Sequence, residues 1–111
     1  MTKDDYEQIS EWMSDMGFFA THLPAEFYNC DVSSCGITYT EGTMTISIGD
    51  WPCGFAIRMS FNKAPCSFSV SRIADYPIDS VWYAIEFIRE NIEDLFDEYE
   101  MNMRVRFHNA F

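Results

Sequence analysis

Apolar and polar positions follow three different rhythms along this chain, and the last of them is the longest. Val81, Ile85, Ile88, Ile92, Leu95 or Phe96, Tyr99 and Met103 recur at steps of three and four, the period of one face of an α-helix. On the opposite side Glu86, Glu90, Glu93, Asp97 and Glu100 repeat the same spacing, with Asp94 and Glu98 beside them and Arg89 as the only base in the run. The pattern predicts an amphipathic helix over 76–103. Tyr76-Pro77 is expected to open it, because proline is tolerated in a first turn, with Asp75 or Asp79 as the cap at its positive end. Asp97, Glu98 and Glu100 then stand toward the negative end, where each opposes the helix dipole by a few tenths of a kcal/mol. Helix stability therefore does not explain them. The tail Arg104-Val105-Arg106-Phe107-His108 brings cations after the acids, either relieving that charge or forming a short last strand.

The amino-terminal stretch has the same helical rhythm in a shorter form. Tyr6, Ile9, Met13 and Met16 are spaced for a helix over about residues 3–16, opened by the Thr2-x-x-Asp5 form of a capping box and stopped by Gly17. Asp4, Glu7, Glu11 and Asp15 form a second acidic stripe on its outer side. Residues 18–34 have no clear period. His22, Pro24, Asn29 and Asp31 interrupt a series of apolar anchors, which predicts a packed loop with a short strand near Phe27.

In the middle of the chain the period falls to two. Ile37 and Tyr39 lead through Glu41-Gly42, a plausible hairpin turn, to Met44, Ile46 and Ile48 alternating with Thr43, Thr45 and Ser47. Gly49-Asp50-Trp51-Pro52 then punctuates the chain. Phe55, Ile57, Met59 and Phe61 define a third strand, Asn62-Lys63-Ala64-Pro65 a turn, and Cys66, Phe68 and Val70 a fourth strand. Short connections make this a sequential antiparallel meander with one apolar face, and that face calls for a helical layer. The expected fold is α+β in the order α-β-β-β-β-α. It is a single domain over residues 1–111, with a four-stranded sheet covered by the long helix and the first helix at its edge.

Composition adds two facts. Apolar residues make up 48% of the 111-residue chain, too many for a disordered acidic tail, and the net charge is −11. Residues 75–100 hold nine acids against Arg89, so −8 of the −11 lies there. Such a charge argues against direct binding to nucleic acid or an anionic membrane, and favours a partner with a basic surface. The polar start Met1-Thr2-Lys3-Asp4-Asp5 does not read as a signal peptide, and no apolar run is long enough to span a bilayer. A cytoplasmic protein is expected, with Cys30, Cys35, Cys53 and Cys66 reduced.

Candidate chemistry is sparse. The cysteine spacing C-x4-C-x17-C-x12-C has only one pair near the tight spacing of structural zinc sites, and Cys53 and Cys66 read as small residues at strand starts. His22 and His108 pair with no recognisable nucleophile, and Ser33-Ser34-Cys35-Gly36 lacks the glycine pattern of a nucleophile elbow. No catalytic residue, metal or cofactor is expected. Trp12, Trp51 and Trp82 with Phe18, Phe19 and Tyr83 exceed what one small core hides, so part of this set is expected on a partner surface. Trp82 fits the core better than Trp51 does.

The acidic stripe carries the functional expectation. Seven carboxylates between Glu86 and Glu100 span fourteen helical steps, about 21 Å, or one charge per roughly 3 Å. One strand of duplex DNA carries a phosphate every ~3.4 Å. Charge runs are commonly solvated faces, but a merely soluble helix mixes both signs, and this one is short of lysine. In general style, small, acidic and without a catalytic motif, the chain is similar to inhibitors that phages and mobile elements make against restriction or CRISPR systems. Some of those act as nucleic-acid mimics. The likeness is one of type and carries no residue across.

It implies a non-enzymatic anti-CRISPR or anti-restriction inhibitor that fills the groove of a basic nucleic-acid-binding protein. Glu86, Glu90, Glu93, Asp94, Asp97, Glu98 and Glu100 would stand in for phosphates, helped by Glu7, Glu11 and Asp15. The alternatives are an immunity protein against a nuclease toxin, an acidic chaperone of a secreted effector, and a small zinc- or cysteine-dependent enzyme. An aromatic patch would also let the chain pair with itself as a homodimer.

Overall fold

The computed structural model describes residues 1–15 and 29–107. Helix α1 (Lys3–Asp15) is followed by strands β1 (Asn29–Val32), β2 (Gly36–Glu41), β3 (Met44–Trp51), β4 (Gly54–Phe61) and β5 (Phe68–Ile73), and then by helix α2 (Val81–Phe107). The strands form one antiparallel sheet in the order β1-β2-β3-β4-β5, a meander of α+β type. Both helices lie on the same face of this sheet: α1 packs over β1 and β2, α2 over β4 and β5, and the two helices touch one another.

Among the described residues the sheet has five strands where the hydrophobic pattern predicts four. The additional one is β1, which pairs with β2 from Asn29↔Thr40 to Val32↔Ile37. Asn29, Cys30 and Asp31 are all exposed and Val32 is only half-buried, so the strand is held by backbone hydrogen bonds at a sheet edge. It starts two residues after Phe27, near which a short strand is expected, and has no apolar alternation that would assign it to the sheet. Phe18, Phe19, His22, Pro24 and Phe27, assigned to the packed loop, lie outside the described residues, as do Met16, Gly17 and His108.

The alternation of the other four strands is as the pattern predicts, with shifted turns. Glu41 pairs with Met44, so the first hairpin turns on Gly42-Thr43 instead of Glu41-Gly42, with Gly42 in the left-handed region at φ 57°. Strand β3 continues through Gly49-Asp50-Trp51, and the turn falls on Pro52-Cys53. Gly49 sits within a strand because it faces Gly36 across the ladder, and a Cβ on Gly49 would come within 2.7 Å of the Gly36 Cα. Close backbone approach requires glycine there.

Side chains cap both helices, α1 as expected and α2 by Ser80 in place of the expected Asp75 or Asp79. Thr2 N donates to Asp5 Oδ2 at 2.8 Å and Asp5 N donates to Thr2 Oγ1 at 3.3 Å, a reciprocal capping box at α1. For α2 the cap is Ser80, whose Oγ accepts from Tyr83 N at 3.3 Å. The helix thus begins at Val81, and Tyr76-Pro77 and Asp79 precede it. Its far end lies four residues beyond Met103, at Phe107, so residues 104–107 are helix where the sequence leaves a short last strand as one alternative. This removes the conflict with the helix dipole: Asp97, Glu98 and Glu100 are more than a turn from the end, and Arg104 and Arg106 occupy the last turn, where cations are favourable.

The core is continuous between the sheet and the two helices. Tyr6, Ile9 and Met13 of α1 meet Ile37, Ile46, Ile48, Ile57 and Met59 of the sheet and Ile88, Ile92 and Leu95 of α2. Aromatic contacts fix the direction of α2. Phe87 stands edge-on to Phe55 at 5.8 Å, Tyr99 packs on Phe68 at 5.3 Å, and Phe107 meets Phe61 at 5.1 Å, so the helix runs the same way as β4. No helix among the described residues is long and apolar enough to cross a membrane.

Two buried tyrosines keep their hydroxyls satisfied at the margin of this core. Tyr6 donates to Asp50 Oδ2 at 3.2 Å and Tyr39 donates to Ser10 Oγ at 3.1 Å. Burial pushes the Tyr39 hydroxyl up to about 12, and burial with the Asp50 carboxylate beside it raises Tyr6 further. Both pKa values are raised above that of the unfolded chain, so their contribution is complete below about pH 10 and is lost as pH climbs toward 12. Urea unfolding measured from pH 8 to 11.5 is expected to show a steep loss of stability above pH 10, and a shallower one in Tyr39→Phe. An identical slope in both proteins would contradict the burial argument.

Candidate functional site: the outer face of the long helix

With its seam locked onto β4 and β5, α2 turns the opposite stripe outward. Glu90, Glu93, Asp97 and Glu100 are exposed there and Glu86 is half-buried, spaced at three and four residues as the sequence implies. Among the described residues no ion pair holds Glu86, Glu90, Asp97 or Glu100. The backbone beneath them is fixed by Ala84, Ile88, Ile92 and Leu95, each buried to within 2%. The carboxylates are thus carried on a rigid rod.

The other two ladder residues behave differently. Asp94 and Glu98 turn toward the flank where β5 ends, and Arg72 meets them both. Its Nη1 donates to Glu98 Oε2 at 2.6 Å and its Nη2 to Asp94 Oδ2 at 3.3 Å, while Nη1 also reaches the Ser71 carbonyl at 2.9 Å. The Glu98 hydrogen bond, opposed by partial burial, holds the guanidinium proton more tightly than usual. Asp94 and Glu98 therefore fasten the helix to the sheet, and the outward ridge consists of Glu86, Glu90, Glu93, Asp97 and Glu100. Its spacing is about 5 Å along the axis, sparser than the ~3 Å of the seven-residue ladder. A signal for this pairing exists in the sequence: Arg72 follows Phe68 and Val70 at core-facing parity, where a charge needs a partner.

Glu7, Glu11 and Asp15 are exposed on the outer side of α1, on the same helical layer as the ridge. Between the two stripes lies Trp12, half-buried, with the Arg89 guanidinium 5.7 Å from its ring centre. Arg89 is thus committed to the joint between the helices. The helix layer as a whole is acidic. By contrast the helix-free face of the sheet is lined with Thr38, Thr40, Thr45, Ser47, Ser69 and Ser71, and Arg58 stacks on Trp51 there at 5.3 Å.

The large aromatics divide in the opposite sense to the expectation. Trp82 is 62% exposed, while Trp51 is half-buried under Arg58. Position 82 lies away from the Ile88 seam by about a third of a turn of helix, so it points outward despite its apolar neighbours. Tyr83 and Tyr76 are exposed beside it. Cys53 is also exposed, in the hairpin turn and not in a strand, and Cys66 is half-buried in the loop before β5. Cys30 and Cys35 are exposed too, and all four thiols are free. Among the described residues no three His, Cys, Asp or Glu side chains cluster closely enough to hold a metal ion. No protein family, curated protein sequence or solved structure matches this chain.

The Arg72 clamp sets an expectation of its own. Arg72→Ala leaves Asp94 and Glu98 facing each other without a cation, and the pair is partly exposed, so the loss is expected below about 1 kcal/mol. Chemical denaturation at low salt should resolve it, and the difference should shrink in high salt. A loss of several kcal/mol would show Arg72 to be a core residue and not a clamp.

Proposed function

We propose that this chain is a non-enzymatic inhibitor that binds a basic, nucleic-acid-binding protein and occupies its phosphate groove, in the manner of anti-CRISPR or anti-restriction proteins. The observation that carries the reading is the outward stripe of Glu86, Glu90, Asp97 and Glu100. These carboxylates have no ion pair among the described residues and stand on a helix whose other side is fully packed. A helix that needed charge only for solubility would mix signs along this stripe. Here Arg72 and Arg89, the bases that lie alongside it, are both drawn to the flanks, and Arg104 comes only after the last acid of the stripe. Glu93 completes the ridge, and Glu7, Glu11 and Asp15 widen the acidic layer.

The physical consequence is long-range attraction. A chain of net charge −11 with most of that charge on one layer steers a cationic groove toward it, and the association weakens with salt. The sparser ridge imitates the sign and reach of a phosphate strand more closely than its spacing. A groove built from flexible lysine and arginine side chains tolerates that difference.

Affinity capture with wild type and with Glu90→Lys/Asp97→Lys/Glu100→Lys, washed at low and then high salt, tests the proposal. Wild type is expected to hold a nucleic-acid-binding protein at low salt and release it as salt rises, and the triple variant, with unchanged circular dichroism, to hold none. Equal recovery by both proteins would overturn it. A partner kept at high salt would instead favour an immunity protein or effector chaperone.

A further inference from the structure

We propose that Tyr76 and Tyr83, with Asp75, Glu86 and Glu90 around them, form a receptor for an arginine side chain of a protein partner. The inference rests on reading the α2 ridge as a surface for a basic protein, and it gives that surface a defined point of entry. Tyr83 lies three residues before Glu86 and seven before Glu90, so it continues the ridge at its amino-terminal end. Tyr76 comes from the connection between β5 and α2 and closes the corner. The two ring centres are 6.5 Å apart and the ring planes are inclined by 74°, which leaves two aromatic walls at a wide angle. They are 40% and 46% exposed. Both walls remain open to a ligand.

The electrostatics of this corner select a cation. Ring faces carry the negative part of the aromatic quadrupole, and the surrounding carboxylates add net charge of the same sign. Their nearness is felt at the Tyr76 hydroxyl, which is raised by burial first and then by the fields of Glu90, Glu86 and Asp75. Among the described residues the nearest bases are engaged elsewhere, since Arg89 lies over Trp12 and Arg72 is held by Asp94 and Glu98. Charge complementarity thus names a basic side chain. Geometry favours arginine over lysine. A guanidinium stacks its plane on one ring while its edge donates to a carboxylate, and it sheds water more easily than an ammonium. A phosphate or an acidic peptide is repelled from the same place.

Binding of hexa-arginine and hexa-lysine peptides to the full chain at low ionic strength tests this, with the ring resonances of Tyr76 and Tyr83 followed by NMR. The arginine peptide is expected to shift both rings and to bind about threefold more tightly than the lysine peptide. Tyr76→Leu/Tyr83→Leu should retain lysine-peptide affinity and lose the preference for arginine. If that variant does not fold, the wild-type preference and ring shifts decide alone. Equal affinity for the two peptides, unshifted rings, or no binding of either would overturn the proposal. The ridge is separated from it by Glu93→Gln/Asp97→Gln/Glu100→Gln. Unchanged affinity in that variant with shifting rings sinks the ridge and leaves the receptor, whereas ridge-dependent binding with unshifted rings does the reverse.

Discussion

Everything on the helical side of this protein depends on how α2 is held against β4 and β5. Its seam of Ala84, Ile88, Ile92 and Leu95 is buried against the sheet, and Phe87, Tyr99 and Phe107 each meet a phenylalanine of β4 or β5. Burial of this apolar face fixes the rotation of the helix about its axis. Rotation in turn fixes which carboxylates face water. Glu86, Glu90, Glu93, Asp97 and Glu100 are outward for the same reason that Ile88 and Ile92 are inward. The charged surface is a geometric consequence of the core.

The clamp formed by Arg72 refines this arrangement. A guanidinium at the end of an edge strand joins two carboxylates four residues apart on α2, and so ties the helix to β5 on the flank where the apolar seam gives out. On the other flank Arg89 and Trp12 join α2 to α1. Arg72 and Arg89 thus serve the joints of the helical layer, so the outward stripe from Glu86 to Glu100 carries no base of its own, and Arg104 and Arg106 follow only in the last turn. Meanwhile the helix-free face of the sheet carries mostly hydroxyl side chains. The two sides of the molecule differ in chemistry, and this difference supports a reading in which one of them meets a basic partner.

Much of this was legible before any coordinates. The period of three and four marks both helices, and the period of two marks β2 to β5, because in each case one side is apolar and the other is not. The capping box of Thr2 and Asp5 is likewise a local signal. What escapes the pattern is whatever depends on the backbone or on distant partners. Strand β1 begins two residues after Phe27, near which a short strand is expected, but it has no apolar side, so only its pairing with β2 fixes its extent and its place in the sheet. The start of α2 is set by Ser80 and its end by the seat of Phe107 on Phe61. The seven-residue ladder loses Asp94 and Glu98 to an arginine more than twenty residues earlier in the chain. The exposure of Trp82 follows from helix rotation and not from hydrophobicity.

The central claim is that the acidic layer occupies the groove a partner uses for nucleic acid. Competition between this chain and duplex DNA for a captured partner tests it most directly. If the claim holds, the apparent dissociation constant for DNA rises in proportion to the concentration of this protein, and no complex contains all three components. A stable ternary complex, with DNA affinity unchanged at saturating amounts of the chain, would contradict it.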